Sequence, residues 1–345
     1  MDVVLVGLGR MGRNHLRVLK ETPGFNLRAI VDVVATAAPA DAGVPLLRSL
    51  DDLAGVSFDA AVVATPTATH VDVAERLIGM GKHLLVEKPL ASTFADASRL
   101  IELAQQKGTK LVVGHVERFN PAARKLREVI REGWLGTPVH SSFTRVGGYP
   151  ETLIQGNNVL LDLAVHDIDV FRSLVGPVRL EAALCHSAWR PDVFDTAEIF
   201  LAGSSGPSAS IHVNWVTPTK IRSIRVTGTR GVCFVDYILQ TCDLLGGSLL
   251  RTAEPASSSF DSIADHYRTS DKISFGVAKE EPLRAQAAQL LRFLEKGESG
   301  ELASGKDALA AVLVAERAVA KGVKRGRERP EGESGPLPRP GDDWI

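Results

Sequence analysis

Cysteine is scarce in this chain, and long apolar runs are missing. Its 345 residues include three cysteines, Cys185, Cys233 and Cys242, an odd number with neither C-x-x-C nor metal-ligand spacing. That argues against a disulfide framework and implies no metal site; the thiols read as reduced and structural. Stretches such as ALAAVLVA are too short to span a bilayer. An excess of charge is missing too. Lys and Arg number 40 against 41 Asp and Glu, a formal net charge of −1, so neither nucleic acid nor a membrane surface is indicated as a partner. No basic leader precedes the first apolar run, so a cytoplasmic protein is expected. What is present is ordinary: 44% hydrophobic and 23% charged residues, in a chain long enough for two domains.

The opening reads DVVLVGLGRMGRNHLRVL. Val3 to Val6 is strand-like, Gly7, Gly9 and Gly12 form G-x-G-x-x-G, and a helical pattern follows. A second strand-like run, LRAIVD, ends in Asp32. A strand, this glycine pattern, a helix and an acidic residue about 20 positions later together specify a dinucleotide site. Gly7 permits the tight turn, Gly9 lets backbone approach a pyrophosphate at the helix N-terminus, and Gly12 allows close helix–strand packing. Asp32 accepts from the adenosine ribose hydroxyls and repels a 2′-phosphate, and neighbouring Val33 and Val34 offer no cation. NAD is therefore expected rather than NADP. Strands continue to alternate with helices through DAAVVAT, THVDVAERLIGMG, KHLLVEKP, TFADASRLIELAQQKG and KLVVGHV. That alternation predicts a doubly wound parallel sheet whose ligand lies beyond the strand carboxyl ends. Thr65, Pro66, Glu87, Lys88, Pro89 and the residues from His115 to Asn120 occupy those ends. Lys88 is placed there to donate to a substrate hydroxyl and stabilise alkoxide character.

After residue 138 the pattern changes. Strand-like runs such as RLEAALCHSAW, TAEIFLAG, SASIHVNWV, IRSIRVTGT and GVCFVDYIL follow one another without helices, which predicts an antiparallel sheet. Two helices close the chain, PLRAQAAQLLRFLEK and SGKDALAAVLVAERAVAKG, the second with a capping box from Ser304 to Asp307. The alternating charges of TPTKIRSIRVTG fit a solvated strand face or a contact with a nucleotide diphosphate. His186, His212 and His266 have no partner spacing and read as structural, and Trp189 and Trp215 as packing around the sheet. Between these parts lies VLLDLAVHDIDVFRSLV, an apolar helix over 158–174 carrying Asp162, His166 and Asp169 on one face. The stripe points either to solvent or into a cleft. With a dinucleotide site upstream it fits hydride-transfer chemistry: an imidazole as general base, and a carboxylate that holds the imidazole or the reacting hydroxyl. Either His166 or Lys88 accepts the proton on this reading.

GLGRMG, ATPTATH, GKHLLVEKPLA, VGHVERFNPA and DLAVHDIDV resemble, in order, the motifs of the glucose–fructose oxidoreductase and inositol dehydrogenase (Gfo/Idh/MocA) superfamily. The likeness runs from residue 1 to about residue 322. It implies an N-terminal Rossmann domain with a doubly wound parallel sheet and a C-terminal α+β domain on a large open antiparallel sheet. It also implies dimers or tetramers assembled through that sheet. The expected division is 1–118 for NAD binding, 119–323 for substrate and oligomerisation with the final helices packing back, and 324–345 as a mobile tail. By the resemblance Lys88, Asp162 and His166 are catalytic. Gly7, Leu8, Gly9, Arg10, Met11, Gly12, Asp32, Thr65, Pro66, Thr67, His70, Glu87 and Lys88 face the cofactor. Lys88, Glu117, Arg118, Asn120, Arg145, Asp162 and His166 face the substrate. A narrower likeness, through GHVERFNPAARKLREVIREGWLGTP, RVGGYP, NWVTPTKIRSIRVTGTRG and KEEPL, is to UDP-N-acetylglucosamine 3-dehydrogenases. That subgroup makes a 3-keto sugar, usually passed to a pyridoxal-phosphate aminotransferase for lipid A or other glycans. The loop GGYPETLIQGNN lacks the arginine expected there, so a free polyol such as myo-inositol stays open as the substrate. A non-catalytic sensor of NAD and sugar is the alternative from another class, and a sensor needs no proton acceptor.

Overall fold

The computed structural model describes residues 1–148, 158–189, 193–246 and 271–327. The first half forms a sheet from β1 (Asp2–Val6), β2 (Asn26–Val31), β3 (Leu46–Leu47), β4 (Ala60–Val63), β5 (His83–Val86) and β6 (Leu111–Val113), all parallel. The order is β6-β5-β4-β1-β2-β3, so the winding reverses between β1 and β4. Apolar runs suit these strands because both faces are covered. Val4 and Val6 join one core with Leu77 and Leu100, from α2 (His70–Gly79) and α3 (Phe94–Gln106). Val3 and Leu5 join the opposite core with Leu16 and Leu19 of α1 (Arg10–Glu21). The strand period of two thus divides one apolar run between two helix layers.

A second sheet holds β7 (Pro138–Val146), β8 (Val178–His186), β9 (Thr196–Gly203), β10 (Ser208–Asn214), β11 (Ile221–Gly228), β12 (Gly231–Asp236), β13 (Thr241–Gly246) and β14 (Asp271–Phe275). Its order is β14-β13-β12-β11-β7-β10-β9-β8. The pairing is antiparallel except for β7 with β10, which run parallel. The purely antiparallel expectation fails there because β7 and β10 are not hairpin neighbours. A long connection containing α5 (Val165–Val175) separates them, which is what same-direction pairing requires. Across the inner face, one row reads Ile199, Ile211, Phe143, Ile224 and Val235, all buried. Against it lie α4 (Pro121–Arg131), α5 and α7 (Gly305–Arg327). The matching outer row reads Phe200, Ser210, Ser142, Arg225 and Phe234.

The end of the chain ties the two sheets together. In α6 (Pro282–Lys296), Leu283, Leu290 and Leu294 enter the core that contains Leu16. Then β15 (Ala303–Ser304) pairs antiparallel with β6, adding a seventh strand to the first sheet. Ala308 of α7 lies in the first domain's core, while Ala311, Ala315 and Ala318 lie in the second. The capping box is made: Ser304 Oγ accepts from Asp307 N at 3.2 Å, and Asp307 Oδ2 accepts from Ser304 N at 3.0 Å. Helix α7 runs to Arg327, past the expected start of a mobile tail at 324, and the rest of that tail lies outside the described residues. Trp189 is 52% exposed rather than packed on the sheet, whereas Trp215 is buried. No helix among the described residues is long and apolar enough to cross a membrane.

Candidate active site

The glycine turn behaves as three different positions. Gly7 sits at φ +97°, and a Cβ there would lie 2.6 Å from Ala64 O. A Cβ on Gly12 would lie 2.0 Å from Gly7 O, so helix and turn touch. Gly9 has nothing within 4 Å of its Cβ position, which leaves that side open to a ligand. Helix α1 has no side-chain cap and no acidic residue in its first turn, so its N-terminal N–H groups and dipole stay available to an anion. Asp32 closes the far side. Its Oδ2 accepts from Leu8 N at 2.6 Å, and its Oδ1 from Val34 N and Ala35 N at 2.8 and 2.7 Å. Burial opposes the charge, but those three N–H groups outweigh it and hold the carboxyl below its ordinary value. Gly7, Gly9, Asp32, Thr65 and Pro66 line one cavity of about 560 Å³. An open Cβ position, an uncapped helix start and an ionised carboxylate fit a dinucleotide. Sequence reasoning found no cation beside Asp32, yet Arg48 lines this cavity and donates to the carbonyls of Ala35 and Thr36.

Beyond β5, Glu87 is buried and bonded to His15 Nε2 at 2.6 Å. Burial raises its pKa, but His15 and Lys88 overcome this and hold it below the ordinary value. Gly114 makes room for it, since a Cβ there would lie 2.9 Å from the carboxyl carbon. His70 is buried, with Nδ1 2.9 Å from Pro89 O and Nε2 2.9 Å from Thr65 O, so it joins the two strand-end loops. Lys88 Nζ crosses to the second domain and donates to Asp162 O at 2.7 Å and Asp162 Oδ1 at 3.1 Å. Trp215 Nε1 donates to Asp162 Oδ2 at 3.0 Å. Burial raises the Asp162 pKa, but Lys88 and Trp215 more than offset it and leave the carboxyl below its ordinary value. Sequence reasoning missed Trp215 because nothing local relates it to Asp162.

The helix carrying the stripe does not begin as an α-helix. Leu160–Ala164 is a π-turn, entered where Asn158 Oδ1 accepts from Leu160 N and Leu161 N at 3.0 and 3.1 Å. Such turns recur at functional sites. The stripe faces inward. Asp169 is wholly buried and His166 partly so. His166 Nδ1 is buried without a hydrogen-bond partner among the described residues. Burial first, then the charges of Lys88 and Arg145, push this imidazole well below its ordinary pKa, so it is neutral at neutral pH.

The residues expected at the substrate divide. Arg118 is buried, donating to Asp169 Oδ2 at 2.7 Å and Oδ1 at 2.6 Å. Asn120 is buried, caps α4 through Ala122 N and donates to Tyr237 O. Arg145 is buried, bonded through Nε and Nη2 to Asp167 and through Nη1 to Glu117 at 2.8 Å. The structure thus commits these three to holding neighbouring elements together. Glu117 lines an opening of about 360 Å³ with Met11, Asn14, Arg222 and Tyr237. Arg222, from the alternating charged strand, donates to Gly147 O at 2.9 Å rather than lying free on a solvated face. Arg10 and Thr67 lie near the turn and at the start of the loop before α2. His186 is exposed, and His212 bonds Glu198 and Asn214. His266 and the loop 149–157 lie outside the described residues. Cys233 and Cys242 are buried with sulfurs 3.4 Å apart, a proximity their spacing did not reveal.

Two family models match the sequence: the Gfo/Idh/MocA oxidoreductase family, NAD-binding Rossmann fold, over residues 1–115, and the Gfo/Idh/MocA C-terminal domain over 123–233. An inositol 2-dehydrogenase of Rhizobium meliloti is 27% identical over 322 residues, 91% of this chain and 94% of the relative. A UDP-N-acetylglucosamine 3-dehydrogenase of Acidithiobacillus ferrooxidans is 28% identical over 244 residues, 70% of this chain and 75% of the relative. The solved structure of a UDP-N-acetylglucosamine 3-dehydrogenase from Acidithiobacillus ferrooxidans superposes with a TM-score of 0.78 at 23% identity, covering 93% of this chain and 97% of that one. A levoglucosan dehydrogenase in complex with NADH and L-sorbose superposes with a TM-score of 0.79 at 20% identity, covering 94% and 97%. At these identities the superpositions speak for the fold.

Proposed function

The chain belongs to the Gfo/Idh/MocA family of NAD-dependent oxidoreductases acting on a sugar or polyol CH–OH group, and from that premise we propose that it oxidises the 3-hydroxyl of UDP-N-acetylglucosamine or a close UDP-amino sugar. The observation that carries the reading is the meeting of Lys88 and Asp162 from two domains beyond the parallel strands, with His166 four residues after Asp162 and within the field of Lys88. Gly9, Arg10, Met11 and Gly12 hold the cofactor's diphosphate at the start of α1, and Asp32 holds the adenosine ribose. NAD, when bound, supplies the hydride acceptor. His166, neutral because its pKa is held low, accepts the hydroxyl proton at its ring nitrogen. The Lys88 ammonium donates to the same oxygen and stabilises its alkoxide character, while Asp162 keeps that ammonium in place. The product is a 3-keto sugar, which a pyridoxal-phosphate aminotransferase consumes.

The enzyme acts in the cytoplasm as a homodimer or homotetramer. The outer sheet face supports the assembly, because Phe200 and Phe234 lie in one row at 42% and 41% exposure, with Ser210, Ser142 and Arg225 between them. A free polyol such as myo-inositol is the second reading, favoured by the nearly full-length likeness to an inositol dehydrogenase. The test is NADH formation with UDP-N-acetylglucosamine, UDP-N-acetylglucosaminuronate or myo-inositol, with an aminotransferase and glutamate added to draw off the ketone. Turnover with the UDP-amino sugar, lost by at least about a hundredfold in Lys88→Ala or His166→Ala, is expected. Turnover with myo-inositol alone overturns the substrate. Intact NAD binding with no turnover of any of the three overturns the proposed reaction in favour of another sugar or a sensor.

A further inference from the structure

His166 poses a problem that its own helix does not solve. A neutral imidazole carries one N–H and one acceptor nitrogen. For the ring to accept a proton from substrate, its other nitrogen must carry the hydrogen, and a buried N–H without an acceptor is costly. The Nδ1 of His166 is buried and has no partner among the described residues.

A second imidazole with the same deficit stands beside it. Strands β5 and β6 pair with Val86 opposite Val113, so Lys88 and His115 each lie two residues beyond the last paired position of adjacent strands. His115 is 2% exposed, and neither of its nitrogens has a hydrogen-bond partner among the described residues. Its Nδ1 lies 3.8 Å from Asp169 Oδ2. Asp169 is three residues after His166 on α5, hence on the same helix face. His115 therefore sits over the turn that carries both.

We propose that His115 is a positioning residue that orients His166 for proton transfer, an inference that rests on the dehydrogenase reading above. Asp169, whose two oxygens each accept from Arg118, faces Nδ1 of His115 and draws the ring hydrogen to that nitrogen. His115 Nε2 is then an acceptor. It takes the Nδ1–H of His166 through one buried water. That fixes His166 as the Nδ1–H tautomer and leaves Nε2 as the nitrogen that accepts the substrate proton. The chain of groups is Asp169, His115, His166, substrate. Lys88 is the donor to the reacting oxygen and not the base.

The charged groups around the pair are Lys88, Arg145 and Arg222 near His166, and Asp169, Arg118, Lys88 and Glu87 near His115. None of these cations can accept from His166 Nδ1, whereas the neutral His115 ring can.

The test combines spectroscopy and kinetics. In wild-type protein with ¹⁵N-labelled histidine, two-bond proton–nitrogen correlations are expected to show both His115 and His166 as Nδ1–H tautomers. His115→Phe, which keeps the buried volume, is expected to lower kcat by about ten- to a hundredfold, with KM and the Kd for NAD within about twofold. The acid limb of its pH–kcat profile is expected to move to lower pH, because the imidazolium loses its Nδ1 acceptor. His115→Gln, which keeps an acceptor, is expected to recover part of the loss. His166 as the Nε2–H tautomer, or His115→Phe with wild-type kcat and pH profile, overturns the proposal. The tautomer measurement needs no variant and no substrate. Wild-type protein inactive on every sugar sinks the dehydrogenase reading, while the tautomer still decides the positioning role.

Discussion

Trp215 and Arg145 show how much a single side chain carries here. Trp215 holds Asp162 from the side opposite Lys88, so the carboxylate is gripped on both oxygens. A hydrogen bond to a charged acceptor contributes about 1.5–3 kcal/mol. Trp215→Phe keeps the packing and removes the donor. It is expected to lower kcat about tenfold and stability by about 1–2 kcal/mol, read by steady-state kinetics and urea unfolding. Unchanged turnover would show that Asp162 is held well enough by Lys88 alone. Arg145 is the opposite case, a buried cation bonded to two carboxylates. Burial works against its charge, but Asp167 and Glu117 raise its pKa well above the ordinary value. Arg145→Met leaves two carboxylates without their partner and is expected to destabilise the protein by about 3–5 kcal/mol. Were it a substrate contact, as its place in the motif implied, the variant would instead raise KM at constant stability.

At the scale of elements, the glycine turn separates binding from folding. Gly9→Ala meets no atom of the described residues, so its melting temperature is expected to match wild type while the Kd for NAD rises at least about tenfold. Gly12→Ala drives a Cβ into Gly7 O and is expected to lower the melting temperature even without cofactor. Calorimetry of NAD binding beside thermal unfolding distinguishes the two. A Gly9→Ala variant that binds NAD normally would count against the turn as the diphosphate site.

This turn was legible because strand, glycines, helix and Asp32 are close in sequence and each has a local signal. The capping box at Ser304 was legible for the same reason. The π-turn at Leu160–Ala164 was not, since its apolar pattern is also that of an α-helix. Nor was the parallel partnership of β7 and β10, which depends on where a distant strand docks. The stripe of Asp162, His166 and Asp169 announced chemistry, but not which partner each would find. Asp162 took Lys88 and Trp215, while Asp169 took Arg118. Arg48 reached the Asp32 cavity from another loop for the same reason. Tertiary pairing has no period in the sequence.

Over the whole molecule, three buried imidazoles make stability depend on pH. His70, His115 and His166 all have pKa values below the ordinary 6.5, burial being the largest cause in each. Around His70 two carbonyl oxygens favour the cation, but burial outweighs them. In the unfolded chain these rings take up protons as pH falls through 6.5, whereas in the folded protein they stay neutral to lower pH. The stability they contribute is therefore complete above about pH 6.5 and is lost as pH falls below it, by about 1.4 kcal/mol per ring per pH unit. The depressed carboxylates Asp32, Glu87 and Asp162 act in a separate and lower window, below their ordinary values of 3.8–4.5. Asp167, raised by burial, works in the other direction. His70 joins the strand ends of the first domain, His166 lies in the second, and His115 meets Asp169 between them. Acid therefore weakens both domains and their junction together, rather than one element. A single thermal transition is expected, lower by about 5–10 °C at pH 5.5 than at pH 7.5. His70→Gln is expected to make that fall smaller, since it removes one of the depressed rings, which also include the less buried His83 and His140. A melting temperature level across this range would mean that these imidazoles take up protons in the fold as readily as in the unfolded chain, and burial would not be lowering their pKa values.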